Sequence, residues 1–148
     1  MKNAACMSSM PARQRGIGMI EVMVAVLILA IGVLGIAALQ AITLKNTGSS
    51  ASRTQAAVQV YSMMDIIRAD RENVSAYNTN IYVDGQGSGD PGSMDAWLTG
   101  LKQTVAPDAK GRVVCVQNTM TCSVGVQWND ERGTGGDSQE QVEVTSQL

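Results

Sequence analysis

From Val22 to Leu39 the chain runs eighteen residues without a polar side chain, and between Ile17 and Leu39 only Glu21 interrupts the apolar character. At ~1.5 Å per residue, a helix over that run spans about 27 Å, close to the hydrocarbon thickness of a bilayer. The pattern predicts a membrane-spanning helix. A carboxylate at the edge of such a segment is costly, so Glu21 reads as a functional group that needs a partner. The plain alternative is an interfacial carboxylate that snorkels to water. Gly32 and Gly35 each weaken a helix interior, and together with Ala30, Ala37, Ala38 and Ala41 they give the segment a thin profile suited to close helix packing.

Past Leu39 the period stays helical and becomes amphipathic. Ala56, Val60, Met63, Met64 and Ile67 recur at three and four, with Arg53, Gln55, Gln59, Arg68 and Arg71 between them. A continuous helix from Ile17 to about Arg71 would be ~80 Å long, although Thr47, Gly48, Ser49 and Ser50 form a stretch that could break it. The segment DGQGSGDPGS, residues 84–93, is loop chemistry. A calcium loop using Asp84, Asp90 and Asp95 is disfavoured, because the spacing does not match the EF-hand pattern. Ser93 is placed to cap a short helix with Trp97, Leu98, Leu101 and Val105 on one face, ending before Pro107.

Strands take over after Arg112. Val113 to Gln117, Thr121 to Trp128 and Glu140 to Thr145 are short β-prone runs with one apolar face. A turn at Asn118 and Thr119 joins the first two and sets Cys115 opposite Cys122, where a cross-strand bridge is sterically possible. Residues 131–137 form a longer second turn. Three antiparallel strands laid over the amphipathic part of the long helix make an α+β domain.

Composition narrows the function. There is no histidine and no phenylalanine, so the commonest general base and metal ligand is missing; no nucleophile elbow is present either, and an enzyme is not expected. Lys2, Arg13 and Arg15 are unopposed by acids, whereas residues 17–148 hold eight basic and thirteen acidic side chains. That balance predicts no nucleic-acid partner. Positive charge ahead of the span keeps the N-terminus cytoplasmic and sends the C-terminal domain outward. Removing the basic leader removes Cys6 and leaves Cys115 and Cys122 as a pair. One disulfide is the natural reading for an exported domain, and two free buried thiols the reading for a cytosolic one.

Gly16-Ile17-Gly18-Met19-Ile20-Glu21-Val22, behind a short basic leader and ahead of a long apolar helix, resembles the class III signal of type IV prepilins and pseudopilins. The resemblance implies cleavage by a membrane peptidase after Gly16, N-methylation of Ile17, and an assembly role for Glu21, which falls at the fifth position of the mature chain. Ile17 stands where phenylalanine is commonest and Gly18 where threonine or serine is common. Independently of the resemblance, a new amine at Ile17 and the Glu21 carboxylate would lie four residues apart on one helical face.

The resemblance also implies a type IV pilin-like fold: a long N-terminal α-helix whose first half spans the membrane, against a small antiparallel sheet. The expected organisation is a cytoplasmic leader at 1–16, a transmembrane and assembly half of the helix at 17–45, and a periplasmic domain at 46–148. An IGVLG segment in the apolar helix, the late cysteine pair and a Val-Gln-Trp strand end are similar to minor pilins of the PilV type. Such subunits prime pilus assembly and sit at or near the fibre tip. The implied partners are other minor pilins and the major pilin, prepilin peptidase, the inner-membrane assembly platform, inner-membrane lipid and a tip adhesin. No cofactor is implied, and a pseudopilin of a type II secretion system is the alternative. Localisation follows: inner membrane with a periplasmic domain, then the extracellular pilus.

Overall fold

The structure is a computed structural model that describes residues 18–87 and 89–148. Helix α1 runs unbroken over Met19–Ala69. Gly18 starts it, its carbonyl accepting from the Glu21 amide at 2.9 Å and the Val22 amide at 3.4 Å. The chain divides after Leu39 into two compact units.

In the first unit α1 is exposed throughout. Met19 is 86 % exposed and Leu34 70 %. A side chain built at Gly32 or Gly35 would meet nothing within 4 Å, so packing within this chain does not require either glycine.

The second unit begins at Gln40 and holds the core. The stripe Ala56, Val60, Met63, Met64 and Ile67 is fully buried, as its spacing predicts for a helix face turned to a sheet. The polar stretch 47–50 does not break α1. Thr47 donates through Oγ1 to the Thr43 carbonyl at 2.9 Å and Thr54 to the Ser50 carbonyl at 2.9 Å, so these hydroxyls are satisfied inside the helix. After Ala69 a 3-10 segment, Arg71–Tyr77, turns the chain and buries Val74.

Helix α2, Met94–Thr104, starts as its cap residue predicts: Ser93 Oγ accepts from the Ala96 amide at 3.2 Å. Its Trp97 Nε1 donates to the Gln59 carbonyl of α1 at 2.9 Å. Strands β1 (Lys110–Val116), β2 (Thr121–Trp128) and β3 (Glu140–Gln147) form one antiparallel sheet in that order. β1 starts three residues before the predicted run, and it stops one short of its end where the turn begins at Gln117; Gly111 pairs with Val83 outside the sheet and sits directly beneath Trp97. A β-carbon at Gly111 would lie 2.3 Å from the Trp97 ring, so only glycine lets α2 approach this strand.

The first hairpin corrects a detail while keeping its consequence. Val116 pairs with Thr121, so four residues make the connection, not the two predicted. Residues 117–119 form a 3-10 turn and Met120 adopts a left-handed conformation, φ 48°. The centre of the turn still lies between Asn118 and Thr119. Register therefore stays as expected, with Cys115 opposite Cys122.

Candidate functional site

Glu21 lies in the first turn of α1 and is exposed. Behind it the exposed side chains of Ile20, Met23, Leu27, Leu34 and Leu44 continue the apolar surface. Among the described residues α1 is the one helix long and apolar enough to cross a membrane. Gly16 and Ile17, the other residues of the expected processing and assembly site, lie outside the described residues.

Cys115 and Cys122 are joined by a disulfide between β1 and β2. Both are buried. The bridge fastens the edge strand to the centre of the sheet next to the turn that positions it.

A polar clasp that sequence reasoning missed lies on α1 of the second unit. Asp130, only 5 % exposed, accepts a short hydrogen bond from Ser49 Oγ and faces Arg53 Nε at 3.6 Å. Arg53 also reaches Glu140 at the start of β3, 3.1 Å away. The Asp130 amide donates to the Asp137 carbonyl at 2.8 Å, closing the loop between β2 and β3, and the Thr134 amide donates to Asn46 Oδ1 at 3.1 Å. The loop thus grips the very stretch of α1 whose residues favour helix least. The available signal was an aspartate entering a glycine-rich turn, together with small hydroxyl residues in mid-helix.

The outer edge of β1 is also closed, by residues 78–83. Asn78 behaves like a strand peptide: its Oδ1 accepts from the Cys115 amide at 2.5 Å and its Nδ2 donates to the Cys115 carbonyl at 3.1 Å. The Thr79 amide donates to the Val113 carbonyl at 2.9 Å, and Val83 exchanges bonds with Gly111 at 2.9 and 3.0 Å. On the outer sheet face Tyr82 lies over Gly125, where a β-carbon would stand 2.7 Å from its hydroxyl. Arg112 and Glu143, on the two outer strands, meet across that glycine at 2.6 Å. The Ser123 hydroxyl and then Arg112 hold Glu143 below the usual carboxylate range, against the opposing effect of desolvation.

Two of the three acids weighed as a calcium loop have other partners. Asp84 pairs with Lys102 at 3.5 Å, and Asp95 accepts from the Gln86 amide at 2.6 Å. Among the described residues no group of three His, Cys, Asp or Glu side chains is arranged to hold a metal ion.

The prokaryotic N-terminal methylation motif matches residues 11–37. It covers the end of the basic leader from residue 11, the Gly16–Ile17 junction, Glu21 and most of the apolar half of α1. The match supports a type IV pilin or pseudopilin: a structural subunit with a signal for prepilin peptidase, anchored in the inner membrane through α1. No curated protein and no solved structure matches the chain.

Proposed function

We propose that this chain is a minor pilin, a structural subunit that primes assembly of a type IV pilus and is incorporated at or near its tip. One observation carries the reading: Glu21 stands in the first turn of a long, exposed apolar helix, five residues beyond the glycine of a methylation motif. Cleavage after Gly16 creates an amine, a group able to pair with a carboxylate four residues along the same helical face. In a lipid environment each charge is unfavourable alone, and a neighbouring subunit that matches Glu21 with its own N-terminal amine removes both penalties. The apolar surface of α1 then exchanges lipid for other helices. The fine assignment rests on the segment IGVLG, the Cys115–Cys122 disulfide and the Val-Gln-Trp end of β2, features similar to those of PilV-type subunits.

The test is the mass and N-terminal sequence of the protein from cells that contain the peptidase. A methylated chain beginning at Ile17 is expected, and an intact leader overturns the reading. In the same cells Glu21→Gln should lower incorporation into filaments by about tenfold, equivalent to ~1.4 kcal/mol. Its unfolding midpoint in detergent should match that of the parent chain. Cross-linked neighbours identify the filament: pilus subunits support the proposal, and recovery with secretion-system subunits alone replaces it with a pseudopilin.

A further inference from the structure

We propose that the cleft between α1 and the β2–β3 loop binds the phosphate of an anionic membrane phospholipid, held by Lys45 and Arg132. The inference rests on α1 as the membrane anchor and is independent of which filament the chain joins. The cleft has a volume of about 330 Å³ and is bounded by Leu44, Lys45 and Ser49 of α1 and by Asp130, Arg132 and Gly133 of the loop. Asp130 on Ser49 and Arg53, and the Thr134 amide on Asn46, fix the two walls against each other.

Charge accounting singles out the two cations. Of the basic side chains among the described residues, Arg53, Arg68, Lys102 and Arg112 each have an acid within 4 Å. Lys45, Arg71, Lys110 and Arg132 have no ion pair there, and two of these four line one cleft. Neither Lys45 nor Arg132 donates a side-chain hydrogen bond among the described residues. The neighbouring acids are engaged elsewhere. Asp130 is held by Ser49 and Arg53, and Arg53 takes Glu140 as well. Asp108 and Glu131 border a separate hollow with Arg132 but form no ion pair with it; the first accepts from the Asn129 amide and the second from Asn129 Nδ2. Two cations sharing a concave site repel each other, and an anion between them relieves that repulsion.

Position along the chain states which anion. Lys45 is the first charged residue after Glu21, and the uncharged interval 22–44 makes about 35 Å of helix at ~1.5 Å per residue. That length covers the hydrocarbon core and reaches the headgroup layer, so with Glu21 at one membrane surface Lys45 meets the other. Leu44 stands beside Lys45 in the cleft and is 74 % exposed. An apolar side chain next to a cation suits the boundary between acyl chains and phosphates. Lipid phosphate is present at this level around every anchored chain, whereas an acidic segment of another subunit must first arrive. Two cations favour a headgroup of net negative charge over a zwitterion, whose own ammonium would crowd the cleft.

The experiment reconstitutes the full chain in phosphatidylcholine vesicles containing a minor share of phosphatidylglycerol with a diazirine on its headgroup, and maps adducts by mass spectrometry. Adducts are expected on residues 44–52 and 130–133. Lys45→Gln with Arg132→Gln should lower them at least about tenfold, from about fivefold per cation, while adducts on the basic leader persist. Arg71→Gln with Lys110→Gln makes the same charge change outside the cleft and should have no effect there. All four side chains are exposed, so the substitutions spare the core. The same diazirine on phosphatidylcholine should label the cleft at least about fivefold less. Uniform labelling of the domain, equal loss from the two double variants, or equal labelling by the two lipids overturns the inference. Inorganic phosphate should displace the lipid no better than chloride at matched ionic strength; stronger displacement assigns the cleft to a soluble anion instead. Carbodiimide coupling of Lys45 to an acid of another subunit in native membranes would replace the lipid with a protein occupant. A chain that fails to enter the vesicles overturns the membrane-anchor reading itself.

Discussion

Asp130 keeps a carboxylate out of water because the groups around it replace what water would supply. Ser49 donates to it, Arg53 faces it, and its own main chain closes the loop to Asp137. Arg53 is 47 % exposed, so the ion pair itself adds little; most of the effect belongs to the buried hydrogen bond. Asp130→Ala should therefore cost about 1–3 kcal/mol in denaturant unfolding of the full chain in detergent. Hydrogen exchange of the amides at 46–53 should rise in step, since Thr47, Gly48, Ser49 and Ser50 have weak helix preference once the loop releases them. Exchange unchanged from the parent would show that this part of α1 holds its helix without help.

Among the elements, the β1–β2 hairpin shows what local chemistry determines. Its disulfide closes eight residues, a loop for which chain-entropy arithmetic gives about 2.5 kcal/mol. Cys115→Ser with Cys122→Ser should lower the denaturant midpoint by that order and leave the circular dichroism spectrum in place. The register was readable beforehand because it depends on where the turn is centred, and a four-residue turn with Met120 left-handed shares its centre with a two-residue one. Helix α2 was readable for a similar reason: Ser93 and the Trp97, Leu98, Leu101 face are both local signals. The same holds for the buried stripe of α1. By contrast, nothing local marks Asn78 as a strand mimic or residues 47–50 as the seat of a loop from 80 positions away. Those segments read as polar turns because their partners are distant in sequence. Glu21 was legible as an anomaly of polarity, whereas the clasp around Asp130 became visible only when the folded chain brought its halves together.

For the whole molecule, the absence of histidine removes the side chain that ordinarily titrates between pH 5 and 8. Stability should be nearly flat from pH 6 to 8. Acid is different. Glu143 and Asp137 both titrate below their ordinary values, the first chiefly through Ser123 and the second chiefly through the Gln139 amide. A depressed folded-state pKa contributes stability that is fully present above the unfolded value, near 4.5 for Glu143, and is lost as pH falls through the folded one. Denaturant midpoints measured from pH 7 down to pH 3 should drop in the acid range, and Ser123→Ala should flatten that drop by removing the largest stabiliser of the Glu143 carboxylate.

The self-closed edge of β1 has a consequence in the language of polymer chemistry. A sheet with two open edges is a bifunctional monomer and propagates; one with a single open edge is monofunctional and stops any chain it joins. By spending Asn78, Thr79 and Val83 on one side, this domain holds its sheet to a valence of one. However densely such molecules crowd, edge pairing ends after a single addition, and runaway β-polymerisation finds no second open sheet edge among the described residues.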